Sequence, residues 1–510
     1  MAPILKFNQN NYTPKGKISQ WKFTKNVEGQ KTVAEREEMC YSVETTRSLE
    51  KRKKNMEQKS NDSLIRGPIW KGLVTFALPI LLGQIFQQLY NTADAWIVGH
   101  YLSDQEYAAV TSTGSLVFLL VGFFGGIAVG AGVVIARYFG AKDEKNLKSS
   151  VYTTVVFGSF AGLFLTVVGV AFTPLILEAM GTPEEIMPYS VEYFRFYFLG
   201  AMAIVMYNMS MGILRAVGDS KHPLYYLIFS SLVNIGLDFL FVGGFGWGVW
   251  SAALATTISQ LVSAAMSIYR LMHYKTEYQF RLKDKAFRFP MMWEIIRYGL
   301  PSGIQNSIIA FANVIVQTNI NSFGDDTVAG AGTYAKLEGF AFLPITCFTM
   351  ALTTFVSQNL GAKQFDRAKK GSRFGIVCCI IMAELIGVAL ILFKESLMRF
   401  FTDNEAAIEV GMRQANVESL FFCVLALSHC IAAVMRGAGR PMVPMFVMLG
   451  AWCVLRVAYI SILVPIVQQD WIIFSAYPVT WTVSSIIFLI FYFKSDWVHT
   501  FDKKQKAQDA

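Results

Sequence analysis

Polar and apolar positions in this chain do not alternate; they come in blocks. After a polar opening segment, the sequence falls into twelve long apolar runs separated by short polar stretches. The runs lie roughly at 69–99, 107–136, 150–173, 189–215, 222–242, 249–272, 291–321, 328–359, 372–393, 408–435, 442–465 and 471–493. A helix needs about 20 apolar residues to cross the hydrocarbon core of a bilayer, so each run predicts one transmembrane helix. Several runs are longer than that and predict tilted or protruding helices. The fold class read from the pattern is an all-α integral membrane protein with twelve transmembrane helices.

Composition agrees with this reading. Of 510 residues, 54% are hydrophobic and 16% charged, where a soluble chain carries about a quarter charged residues. Such a chain has too little polar surface to cover a soluble fold, which excludes a soluble enzyme. The net charge of +9 does not imply nucleic acid as a partner, because the basic residues follow the loops. The connections after spans 2, 4, 6, 8 and 10 hold 20 Lys and Arg, among them Lys142, Lys145, Arg281, Arg288, Lys363 and Arg367. The opposite connections hold Lys394 and Arg399, and are acidic through Asp104, Glu184, Asp325 and Asp470. Positive charge stays inside, so the even connections and both termini are expected in the cytoplasm, with the protein in the plasma or inner membrane.

Residues 1–66 are different material. They hold ten Lys, four Arg and eight acids and no periodic apolar face, and are expected to be a disordered cytoplasmic tail. Lys51-Arg52-Lys53-Lys54 is read as solvated, with contact to anionic lipid as the alternative. Met56 precedes a sequence that leads directly into the first span. Residues 1–55 are therefore expected to be dispensable; peptides from them at the native N-terminus, seen by mass spectrometry, would contradict this. The seven Cys show no CxxC or Cys/His spacing, so they are read as packing thiols, with neither a disulfide framework nor a zinc site supported.

The two halves repeat. Leu78-Pro79 recurs as Leu300-Pro301 and Asn91 as Asn313, both 222 residues on. Gly140-Ala141-Lys142 recurs as Gly361-Ala362-Lys363, and Arg215, Gly218 and Pro223 as Arg436, Gly439 and Pro444, all 221 residues on. Six spans per half gives two lobes of the same orientation, with a substrate cavity expected between them. The boundaries read are 67–272 for the N-terminal lobe, 273–290 for a cytoplasmic linker, 291–494 for the C-terminal lobe and 495–510 for a tail. Pro79 and Pro301 each interrupt the hydrogen-bond ladder of the first helix of a lobe and are read as hinges. The polar stripes Gln84, Gln88 and Asn91 in span 1, and Gln305 and Asn306 in span 7, are read as cavity walls.

Ionisable residues at membrane depth are costly and mark functional sites. In the first half two acids lie well inside spans, Asp94 and Asp238. Asp94 is five residues from the outer end of span 1, roughly 7–8 Å, and Asp238 sits at nearly the same depth in span 5. Asn234 lies one turn from Asp238 on the same face. Asn208 in span 4 and Thr256 in span 6 can approach them. These five are read as a coupling site, because oxygen ligands suit Na⁺ and two close carboxyls equally hold a proton. The alternative is a polar network that only packs helices. In the second half Lys336, Glu338 and Arg456 are read as cavity-lining or as pairing across helices. His429 is read as packing.

From about 67 to 495 the chain resembles the multidrug and toxic compound extrusion (MATE) family of cation antiporters. The resemblance rests on Ala77-Leu78-Pro79 with Gln87-Gln88-Leu89-Tyr90-Asn91-Thr92-Ala93-Asp94, on the two Gly-Ala-Lys motifs, on Leu214-Arg215-Ala216-Val217-Gly218-Asp219, and on Phe355-Val356-Ser357-Gln358-Asn359 and Met435-Arg436-Gly437-Ala438-Gly439. It implies two pseudo-symmetric six-helix lobes and export of organic cations or other lipophilic small molecules by alternating access, with no cofactor beyond the coupling ion, H⁺ or Na⁺. In one branch the ion site is an Asp, two Asn, an Asp and a Thr of the N-terminal lobe; here Asp94, Asn208, Asn234, Asp238 and Thr256 match in type. Another branch uses a Glu on helix 7, and span 7 here has no acid beyond Glu294 in its first turn. A lipid-linked precursor flippase of the same superfamily is the alternative; twelve spans and few intramembrane basic residues argue against it. A membrane-embedded enzyme would need a nucleophile or His/Asp pair at one depth, and none is visible. A monomer is expected. Cysteines introduced at Asp104 or Asp325 should label from outside, and those at Lys145 or Lys369 should not; the reverse pattern would refute the map.

Overall fold

The computed structural model describes residues 62–502, except 275 and 285. The Lys51–Lys54 cluster and the start at Met56 lie outside the described residues. Among those described there is no strand. The N-terminal lobe comprises span 1 (Ile69–Tyr101), span 2 (Asp104–Ala141), span 3 (Glu144–Ala179), span 4 (Met187–Leu199 then Ala201–Ala216), span 5 (Lys221–Asp238, continuing as π-helix through Phe239–Gly244) and span 6 (Trp250–His273). The C-terminal lobe follows as span 7 (Phe289–Asn321), span 8 (Asp325–Gly361), span 9 (Phe365–Arg399), span 10 (Glu405–Glu418 and Phe422–Gly437), span 11 (Met442–Met448, a π-helical stretch Leu449–Leu455, and Arg456–Val467) and span 12 (Trp471–Lys494).

Span 4 is the one that departs most from a simple rod. Its two pieces meet at Gly200 and bend by 45°. A bend inside a bilayer frees backbone groups that water cannot satisfy, and neighbouring threonines take them up. The Thr257 hydroxyl donates to the Phe196 carbonyl at 3.2 Å, and the Met202 N–H donates to the Thr166 hydroxyl at 3.2 Å. Gly200 is needed there because a Cβ would run into the Thr257 side chain.

The repeat is written into the backbone. Lys142 and Lys363, 221 residues apart, take the same left-handed conformation, φ 55° and 56°. Gly218 and Gly439 do the same after spans 4 and 10, at φ 87° and 74°. Sequence identity at these places therefore reflects helix ends that turn in the same way.

Apolar side chains face two kinds of surroundings. Phe160, Phe164 and Val167 of span 3, and Ile381, Leu385 and Leu392 of span 9, are exposed at spacings of three, four or seven residues, the stripe a lipid-facing helix presents. Inside the C-terminal lobe Leu352, Phe355, Phe422 and Trp481 share one buried core, and Ile135, Val151, Met211 and Leu214 do so in the N-terminal lobe.

Two boundaries move. The polar tail expected to reach residue 66 stops earlier, because Leu64 and Ile65 are buried. The Leu64 carbonyl accepts from Asn359 Nδ2 at 3.1 Å and from Arg367. The tail expected from residue 495 is docked as far as 502, with Trp497, Val498 and Phe501 buried. Arg440 holds it, donating to the Thr500 hydroxyl and the Asp496 carbonyl, each at 2.8 Å.

The lobes meet in the half of the bundle that carries the basic connections. Gly126 and Gly130 of span 2 lie directly on Gly303 and Gly299 of span 7, where any Cβ would strike backbone. Gly140 lies in the same way on Gln358 of span 8, and Gly361 on Arg137. Arg137 pairs with Glu294 at 2.8 Å, and Gln358 Nε2 donates to the Ala216 carbonyl at 2.7 Å. Adding one methyl to this interface should force it apart. Gly130→Ala is expected to cost this closed arrangement about 1–3 kcal/mol, widening the distance between spin labels at Lys142 and Lys363. An unchanged distance distribution would show that the Gly–Gly contact does not hold the lobes together.

Candidate functional site

Asp94 and Asp238 come together. Span 1 packs on span 5, and the two carboxyls lie within hydrogen-bonding reach of each other. Asp238 is fully buried and neither of its oxygens has a donor; Asp94 Oδ1 has none either. Two carboxylates have no hydrogen to share, so this contact is favourable only with a proton or a cation between them. Asn234, 1% exposed, also has both amide atoms without a partner. Leaving a buried polar atom unmatched costs about 1–3 kcal/mol, so the set is poised for an occupant.

The other two predicted members stand further from this pair in their bonding. Asn208 uses its amide nitrogen on its own helix, donating to the Ile204 carbonyl at 2.9 Å. Thr256 is half-buried on span 6. Among the described residues no group of three or more His, Cys, Asp and Glu could hold a metal ion. The donor set here is two carboxyls and an amide, which fits a monovalent hard cation or a proton.

Tyrosines surround the acids and were not singled out from the sequence. Tyr90 and Tyr193 lie within electrostatic range of both carboxyls, and Tyr193 stacks on Tyr197 with centroids 6.3 Å apart. Tyr90 had a signal, since it precedes Asp94 by four residues on one helix face. Tyr193 had none, because only the bend of span 4 and its packing decide what it faces. The π-helical stretch starts immediately after Asp238, a local widening that often accompanies functional sites.

The candidate wall residues divide. Gln84 lines a small cavity of about 20 Å³ with Pro79, Tyr207 and Arg215 inside the N-terminal lobe, room for about one water. Gln88 is half-buried and Asn91 is exposed. Gln305 is not on a wall: it is buried, and its amide nitrogen meets Met448 Sδ of span 11 at 2.8 Å. Asn306 crosses the lobes to the Gly122 carbonyl at 3.0 Å. Pro79 and Pro301 lie inside unbroken helical segments.

The charged residues of the second half do not line a wall together either. Lys336 is exposed, with its ammonium 5.7 Å from the centre of the Phe401 ring. Arg456 is buried within the lobe, donates to the Thr480 hydroxyl at 3.1 Å and lies 4.2 Å from the Tyr477 ring centre. Glu338 and the fully buried Glu418 are both within its electrostatic range. Arg456, Glu338 and Glu418, from spans 11, 8 and 10, thus lie near one another, while Lys336 stands apart.

Helix count, lobe repeat and an intramembrane acid pair define a membrane transporter built from two like lobes. Comparison with known proteins agrees. The MatE family model matches the chain twice, over residues 79–240 and 301–461, which are the two halves of the repeat. The chain belongs to the MATE family and is a transporter, not an enzyme. It is 29% identical over 386 residues to the probable multidrug resistance protein YoeA of Bacillus subtilis, covering 74% of this chain and 83% of that one. The probable multidrug resistance protein NorM of Thermotoga maritima is 27% identical over 398 residues, covering 74% and 82%. A solved structure described as the outward-facing conformation of a multidrug resistance MATE family transporter superposes with a TM-score of 0.79 at 23% identity, covering 84% of this chain and 96% of that one.

Proposed function

We propose that this transporter exports lipophilic or cationic small molecules across the plasma membrane by alternating access, driven by inward movement of H⁺ or Na⁺ through the Asp94–Asp238 pair. The observation that carries the coupling site is the pair itself: two facing carboxyls with a donorless Asp238 and an unmatched Asn234 beside them. The names of YoeA and NorM support drug export. The positive-inside bias supports a cytoplasmic basic end with both termini. With the lobes in contact at that end, the polar residues Asn91, Asn313 and Gln317 stay exposed in the opposite halves of spans 1 and 7. Exposed amides at membrane depth belong beside water rather than lipid, so this arrangement is read as outward-facing.

The mechanism follows from charge. An empty, doubly ionised pair is costly in low dielectric, and substrate in an open cleft coexists with it only until an ion enters. A proton or Na⁺ from outside bridges the two carboxyls, leaves one negative charge shared between them and lets span 1 settle onto span 5, with Pro79 and Pro301 as the bending points. The ion then leaves toward the cytoplasm once the lobes open there. Asn208 and Thr256 complete the oxygen set when Na⁺ is the occupant. The protein acts as a monomer.

Asp94→Asn places a permanent N–H donor opposite Asp238 and mimics the protonated pair. Asp94→Asn and Asp238→Asn are each expected to abolish gradient-driven ethidium efflux from vesicles, while melting temperatures stay equal to wild type or rise. Na⁺ and pH gradients imposed separately identify the ion. A well-folded double variant that still concentrates substrate against its gradient would end the proposal.

A further inference from the structure

Outside the transport pathway, at the basic end of the N-terminal lobe, lies a cavity of about 600 Å³ between the start of span 3 and the segment that links the two lobes. Its lining carries Lys145, Lys148, Arg281 and Arg288 against one acid, Asp284. Among the described residues the two guanidinium groups have neutral acceptors: Arg281 donates to Gln279 Oε1 at 2.8 Å, and Arg288 donates to Asn146 Oδ1 at 3.0 Å. Lys148 has a loose partner, Glu144 at 3.3 Å, on its own helix. The Thr276 hydroxyl also lines the cavity and is buried without a hydrogen-bond partner. Four cations and an unmatched hydroxyl around one hollow form a receptor for an oxyanion.

The surroundings say which oxyanion. Leu282, Phe287, Phe289 and Trp293, on the same linker and the start of span 7, are exposed, Phe289 at 66% and Trp293 at 61%. Tyr269 and Tyr274, at the end of span 6, are exposed too. Aromatic side chains of this kind sit at the level of the lipid headgroups. Basic hollow and apolar rim together match a phosphate joined to acyl chains better than a free ion in water.

We propose that this cavity binds the headgroup phosphate of an anionic phospholipid. The bound lipid ties the linker to span 3, where Ser149 already donates to the Ala286 carbonyl at 2.8 Å. It rests on the proposed orientation only in that the lipid would come from the cytoplasmic leaflet.

The test uses the full purified chain in neutral detergent. Native mass spectrometry and thermal melting are followed with added phosphatidylglycerol, phosphatidylcholine, or inorganic phosphate. Phosphatidylglycerol should be retained and should raise the melting temperature; phosphatidylcholine and millimolar phosphate should do neither. Lys145→Gln with Arg281→Gln should weaken retention about fivefold per charge removed, and Lys145→Arg with Arg281→Lys should restore it. Equal stabilisation by inorganic phosphate would assign the cavity to a soluble anion and overturn the lipid assignment, as would equal retention of phosphatidylcholine. Full phosphatidylglycerol retention by the glutamine variant would overturn the site. The wild-type comparison among the three additives stands even if that variant does not fold. Binding needs no transport, so efflux without phosphatidylglycerol retention removes this proposal alone, and retention without efflux removes only the transport reading.

Discussion

The facing carboxyls of Asp94 and Asp238 impose a constraint that reaches well beyond their own helices. No base stands in their set, and neither Asp238 oxygen receives a hydrogen bond. In water such a pair would be solvated and unremarked. Inside a bilayer the ionised pair is costly unless a proton or a cation joins it. Spans 1 and 5 therefore cannot be indifferent to an occupant: a shared proton or cation binds the two carboxyls together, and without one they repel. The half-buried Asn208, the tyrosines and the bend in span 4 are arranged around that requirement.

The C-terminal lobe shows the opposite solution in the same framework. At the repeat offset, Asn208 corresponds to His429, Asn234 to Leu455, Asp238 to Tyr459, Thr256 to Tyr477, and Asp94, at the span 1 offset, to Val316. No acid is left at any of these places. The lobe instead buries Arg456 beside Glu338 and Glu418, supplying its own cation. A charge neutralised by a covalently attached partner cannot respond to an external ion gradient in the way a vacant acid pair can. One duplicated frame thus holds an acid pair with no fixed cation in one lobe and two acids near a fixed Arg in the other. The same exchange occurs at the loop after span 4. There Asp219, buried with Arg270 and His222, occupies the position that in the second lobe is Arg440, which instead grips the docked C-terminal segment.

Long apolar runs made the helices legible, because bilayer thickness fixes their length and leaves little choice of structure. The repeat was legible for a similar reason: Lys142 and Lys363 mark helix ends that close with the same backbone geometry. The acid pair was legible because any carboxyl at that depth stands out. What could not be read depended on partners distant in sequence. The break at Gly200 relies on Thr257 and Thr166 from spans 6 and 3. Gln305 looked like a wall residue because polarity on a membrane helix avoids lipid, yet burial against Met448 avoids it equally well. Residues 62–66 looked like tail because five residues hold no periodicity, while Leu64 is fixed by a carbonyl contact with Asn359, nearly 300 positions away.

Exchange requires two arrangements of nearly equal free energy, since an ion shifts an equilibrium only by its difference in affinity between states. Phe76 and Val134 of the first lobe share a buried apolar cluster with Tyr298 and Phe348 of the second, and beside it, where span 2 crosses span 7, the contact between the lobes is glycine against glycine. Burying a Leu or Phe at each of those positions would add about 1.5–3 kcal/mol apiece, enough to trap one state. The Arg137–Glu294 pair at the rim adds register rather than strength, because partly exposed ion pairs contribute about 1 kcal/mol or less. Under the proposed coupling, an ion at Asp94 and Asp238 would therefore have to favour one arrangement by at least as much as the contact that holds the far end of the bundle shut.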